Sequence, residues 1–278
     1  MKVAFTVFIL LLTSFFGFSQ SNPLPEENDR TGKLYIYWGW NRAWYSKSNI
    51  TFTGNDYDFT LYKVTAYDRP NPFSAEIYLN PANITIPQYN LRVGYFINKH
   101  YNISFGIDHM KYVMPDSLTV KISGYIEGTG TIYDGTYVND DFEVDSAFLT
   151  FEHTDGLNYP NIEFRRWDEL FALKNANFNI TEGLGAGILY PRSNTKLLNK
   201  QRYDEFHLAG YGLSAVVGLN ITFYKHFFIQ TEFKGGFIHM PDIRTTNSVS
   251  DKASQHFFFY QVNFVFGATI NLKKKKDK

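Results

Sequence analysis

From Phe257 to Leu272 every second residue is apolar: Phe258, Tyr260, Val262, Phe264, Phe266, Ala268, Ile270 and Leu272. Between them lie Gln261, Asn263, Gly267, Thr269 and Asn271. A period of two is that of an extended strand with one apolar and one polar face. The run is far longer than the ~5–6 residues of a common globular strand. An unbroken apolar face of that length suits a wall with lipid on one side and a polar interior on the other.

Composition points the same way. Aromatic residues make up 18% of the chain, with 20 Tyr and 27 Phe, yet the mean hydropathy is only −0.28. Many rings without overall apolarity fit aromatic girdles around a polar lumen. Net charge is +0, so no overall field draws the chain to nucleic acid. There is no Cys, and hence no disulfide framework. Lys2, the apolar run from Val3 to Phe16 and the small residues after it predict a secretory signal peptide over 1–19. Residues 20–32 then read as a short periplasmic segment, 33–272 as the barrel and 273–278 as a basic tail.

Eight strands are predicted. They are Lys33–Tyr45, Pro87–Ile97, Tyr101–Met114, Asn161–Leu173, Asn177–Tyr190, Phe206–Phe223, Phe227–Met240 and the last. Tight turns at Lys99, Lys174 and Lys225 alternate with long connections. Those connections hold ribbons: Phe59–Ala66 with Ser74–Tyr78, and Leu118–Ile126 with Phe142–Phe151. Pro87, Pro115, Pro160, Pro191 and Pro241 mark where strands meet long connections, since proline cannot donate to a ladder. Arg166 breaks the alternation of its strand, which predicts a bulge at Arg165-Arg166 turning both inward. Glu182 falls on the outer face, which predicts a bulge or an interfacial position there.

The pattern resembles the small eight-stranded outer-membrane barrels of the OmpA and OmpW type. The resemblance implies an all-β, antiparallel, up-and-down transmembrane barrel in the outer membrane. Its long loops lie outside and both termini in the periplasm. It implies outer-membrane lipid, lipopolysaccharide and the assembly machinery as partners. Gly267, Ile270 and Leu272 resemble the C-terminal assembly signal of such barrels.

By parity the inner faces carry Arg92, Asp108, Glu163, Arg165, Glu232 and Lys234. A barrel of eight strands is about wide enough for side chains to fill. These charges should therefore pair across the lumen, because an unpaired buried charge is costly. The expected protein is structural, or acts at the surface through its loops. A narrow solute channel is the alternative if the pairs are loose. Another is a lipid-modifying hydrolase, since His109 and His239 fall near the outer ends of their strands on the lipid side. The lipid A deacylases resemble this, with a serine two residues past the histidine. Here Lys111 and Pro241 occupy those places. A lipocalin-like soluble barrel would instead need apolar residues inside. Asp140, Asp141, Glu143 and Asp145 form an acidic stretch without the glycine-pinned spacing of a calcium loop. No motif asks for a cofactor or a metal.

Overall fold

The computed structural model describes residues 29–83 and 85–272. The expected signal peptide, most of the segment 20–32 and the basic tail lie outside the described residues. Among these, no helix is long and apolar enough to cross a membrane.

Eight long strands form a ring: β1 (Lys33–Tyr45), β4 (Tyr89–Phe96), β5 (Tyr101–Val113), β8 (Leu149–Ala172), β9 (Ala176–Leu189), β12 (Gly210–Phe223), β13 (Phe227–Arg244) and β14 (Lys252–Asn271). Each is antiparallel to its neighbours, and β14 returns to β1 in register from Lys33↔Asn271 to Tyr45↔Phe259. The short connections are those at Lys99, Lys174 and Lys225. At the last, Tyr224 and Lys225 both take positive φ, and the His226 amide donates to the Phe223 carbonyl at 3.0 Å. That is the I′ geometry whose twist matches a hairpin.

The long connections are themselves folded. The ribbon of β2 (Ser48–Thr53) and β3 (Tyr57–Val64) docks on the upper part of β14, and β6 (Leu118–Ile126) and β7 (Gly135–Val144) extend that sheet. A second hairpin, β10 (Arg192–Leu197) with β11 (Tyr203–Phe206), pairs with the start of β8. Together these elements form a cap at the long-connection end.

Several sequence expectations need correction. Ser74–Tyr78 is not the partner of β3. It is a single helical turn, α1 (Ala75–Tyr78), whose first amides are capped by Ser74 Oγ accepting from the Ile77 amide at 3.1 Å. The fourth ring strand begins at Leu149 rather than Asn161, and Pro160 lies inside it. The ladder to β9 stops at Asn161 while that to β5 continues upward to Glu152. Pro160 thus marks the end of one ladder, not of the strand. Pro241 is also internal, at a register shift between Met240 and Ile243. No bulge forms at Arg165-Arg166. Arg165 points in, while Arg166 points out and binds Asp168 at 2.6 Å; the shift falls between Glu169 and Phe171. Glu182 stays in register opposite Arg166, which itself faces Tyr101 at the start of β5. Both outward charges therefore sit near the short-turn end.

The ring and the cap have opposite polarity. In the lower part, apolar side chains point outward, Leu184 and Leu219 being 70% and 63% exposed. In the cap they point inward, where Ile50, Phe52, Phe59, Tyr112, Phe151, Ile238 and Phe257 belong to one buried cluster. One strand serves both: β14 buries Phe257 and Phe259 above, then Gln261 and Asn263 below. The inward face thus switches from apolar to polar as the strand descends from cap to ring.

The cap includes the upper end of β8, above the ring, where His153 is fully buried. One ring nitrogen lies 2.9 Å from Ser193 Oγ and the other, Nε2, has no partner. Burial holds the imidazole pKa down to about 3. Between that value and the ~6.5 of an unfolded chain, only the unfolded state takes up the proton. Cap stability should therefore fall as pH drops through this window, by up to ~1.4 kcal/mol per unit. Hydrogen-exchange protection factors of the β10 amides should drop between pH 6.5 and 4.5 in wild type and change less in His153→Gln. An equal drop in both would remove His153 as the cause.

Candidate functional site in the lumen

Alternation along β4, β5, β8 and β13 turns six charged side chains into one buried layer. Arg92 donates from Nη2 to Glu163 at 2.9 Å, and Arg165 donates from Nε to the other Glu163 oxygen at 2.5 Å. Arg165 Nη1 also reaches Glu232 at 2.5 Å. Lys234 Nζ lies 2.6 Å from Asp108 and 2.8 Å from Glu163. Three cations meet three anions, so the layer is neutral. Each of the six is 1% exposed or less.

Neutral groups complete the network, and inward parity is their only signal in the sequence. Tyr37 OH accepts from both Arg92 and Arg165 at 3.1 Å. Ser104 and Asn161 accept from Arg92 at 3.1 and 2.6 Å. Gln230 and Asn263 donate to Glu232 at 2.6 and 3.0 Å, and Asn90 donates to Asp108. Charge-assisted bonds of this kind are about twice as strong as neutral ones.

Room for these side chains comes from glycines on adjacent strands. Arg92 lies opposite Gly106, Glu163 opposite Gly185, Arg165 opposite Gly183 and Glu232 opposite Gly218. A Cβ at Gly106 would come within 2.8 Å of the Arg92 guanidinium carbon, and one at Gly183 within 2.6 Å of Arg165 Cγ. Two further layers close the lumen. Below the charges, Tyr35, Tyr37, Phe96, Trp167, Phe228 and Val265 form an apolar floor. Arg30 lies beneath it, 5.5 Å from the Trp167 ring centre and donating to Asn179 at 2.5 Å. Above the charges is the apolar core of the cap.

The outer surface of the ring is a band of exposed Ile, Leu, Val, Phe and Trp around this polar layer. Polar inside and apolar outside is the arrangement lipid demands of a closed sheet. The chain is an eight-stranded β-barrel of the outer-membrane type.

No protein-family model matches the barrel, and no curated protein matches it. Solved structures similar to it include the outer membrane protein OprG from Pseudomonas aeruginosa, at 10% identity over 86% of this chain and 96% of that one, TM-score 0.37. Neisserial surface protein A aligns at 7% identity over 86% and 97%, TM-score 0.33. The attachment invasion locus protein Ail of Yersinia pestis aligns at 10% identity over 85% and 99%, TM-score 0.31. These are loose superpositions; the ring and its apolar band define the fold.

His109 and His239 are not brought together, since they lie on β5 and β13, which share no ladder. His109 does not face open lipid either. It is 7% exposed, its ring stacked on Tyr89 and its Nδ1 2.8 Å from Asn158. His239 packs edge-on against Tyr211 and beside His256. At the closing strand, a Cβ on Gly267 would strike the Ile36 carbonyl and come within 2.7 Å of Tyr37 Cβ. Ile270 and Leu272 are exposed at the short-turn end of the band. Among the described residues, no group of three or more His, Cys, Asp or Glu side chains is placed to hold a metal ion.

Removing one member of the network leaves its partners charged and buried, at a typical cost of ~3–5 kcal/mol. Glu232→Ala should therefore lower the unfolding temperature of the detergent-solubilised barrel well below that of an outward control such as Thr231→Ala. Gly183→Leu should do the same without touching a charge, by displacing Arg165. Melting temperatures equal to the control for both variants would mean that the layer is loose and wet.

Proposed function

We propose that this outer-membrane barrel does not conduct solutes and serves as a structural anchor that holds its folded cap at the cell surface for interaction. The observation that carries this reading is the triple closure of the lumen by aromatic floor, neutral ion network and apolar cap core. A channel needs a continuous wet path, and each layer interrupts one. The hydrolase alternative has less support, since neither His109 nor His239 has a serine in the position the deacylases use. The proposed orientation puts the cap outside and both strand termini in the periplasm, as in barrels with short periplasmic turns and long external loops. Lipopolysaccharide would then surround the band at the cap end. The assembly machinery would engage Gly267, Ile270 and Leu272.

In planar bilayers the wild-type protein should show little steady conductance. Large, steady currents would overturn the closed lumen. Orientation is tested separately: a protease specific for acidic residues, added to intact cells, should cut at the exposed Asp140–Glu143 stretch of β7. Trypsin under the same conditions should spare Lys225. Cleavage at Lys225 with the membrane intact would reverse the assignment of sides. Lipid A deacylation that depends on His239 would restore the hydrolase reading.

A further inference from the structure

The outer wall beside β1 carries a groove that neither lumen nor cap requires. The segment from Pro70 to Asn83, which includes α1, folds back against the wall. Its Tyr78 ring packs 5.8 Å from the Trp40 ring. The segment is tied to β5 by Lys111 Nζ donating to Asn71 Oδ1 at 2.8 Å, and it is held internally by Tyr78 OH donating to the Asn71 carbonyl at 2.8 Å. Between segment and wall lies a cleft of about 370 Å³, lined among others by Trp40, Arg42, Pro70, Tyr78, Val262 and Phe264. That volume is within the ~300–1,000 Å³ typical of small-molecule sites.

Three features define what fits. The lining is almost wholly apolar and opens on the lipid-facing band. The pinned segment points Phe73 and Leu79 outward, 80% and 66% exposed, which water would penalise and acyl chains would not. One charged group borders this apolar lining. Arg42 is 56% exposed at the rim, with its Nε 3.4 Å from Asp68. The next outward residue of β1, Trp44, stacks on Tyr260 at the cap end of the band.

We propose that this groove binds the lipid A part of lipopolysaccharide, one acyl chain at a time. The chain lies along Val262 and Phe264 beneath Tyr78. The Trp40 ring walls the chain on the barrel side, and a lipid A phosphate takes the free face of the Arg42 guanidinium, a pairing arginine makes bidentately. The choice of lipid rests on the orientation given above, which puts the groove in the outer leaflet.

The test uses the full chain in detergent with bisphosphorylated lipid A as probe and retained lipid read by native mass spectrometry. Wild type should retain lipid A. Arg42→Gln should weaken retention about tenfold, and Trp40→Phe should weaken it while leaving the charge in place. Dephosphorylated lipid A should bind wild type no better than the phosphorylated form binds Arg42→Gln. Heat-modifiable migration on cold gels checks that each variant is folded, and Trp40→Phe serves if Arg42→Gln is not. Equal retention by wild type and both variants overturns the groove. So does displacement of lipid A by inorganic phosphate alone, which would make the site one for a free anion. Because the assay is in detergent, its failure counts against the groove and not against the orientation, which the protease experiment tests by itself.

Discussion

The constraint on which the structure depends is that a ring of eight strands has no room for water to solvate the charges inside it. Charge buried there must be cancelled by charge at bonding distance, and long side chains need room. One device supplies that room for four of the six charges; Lys234 lies opposite Val216 and Gln261 instead. Arg92, Glu163, Arg165 and Glu232 each lie across a ladder from a glycine, so the ion network occupies the volume that missing side chains leave. Tyr35 and Tyr37 use Gly94 and Gly267 in the same way in the floor. Size and sign are thus specified together, residue by residue.

The second organising fact is that the polarity of the sheet reverses partway along its strands. Below the reversal the inward face bonds ions and amides and then packs the aromatic floor; above it the same face packs Ile238, Met240, Ile243, Phe257 and Phe259 as a soluble protein would. The long connections are consequently an ordered β-structure sharing β8, β13 and β14 with the barrel, rather than loops resting on it.

Much of this was legible in the residues. Alternation locates the eight ring strands and the inner position of the six charges, because one face of each strand had to be apolar. The cap was harder to see, since its strands are short and flanked by proline and glycine, which read as connections. Two local signals pointed to it: the run Phe257-Phe258-Phe259-Tyr260, apolar on both faces at once, and the inward residues Ile238 and Met240 following the charged Glu232 and Lys234 on the same parity. The glycine partners could not be found, because opposition across a ladder depends on register, and register is not visible within one strand. Arg166 is illegible for a related reason. An outward charge reads as misplaced on a strand taken alone, but Asp168, two residues on, neutralises it there.

The seam between first and last strands has a consequence for how the chain finds its register. β1 pairs with β14 below, and β2, only two residues further on, pairs with the same strand above. Slipping that junction by one residue would turn the lower half's apolar side chains from lipid into the lumen, and the upper half's from the core into water. The two halves would fail for opposite reasons at the same step. A misaligned closure therefore has no environment in which it is tolerated, and the correct alignment is selected twice by a single edge.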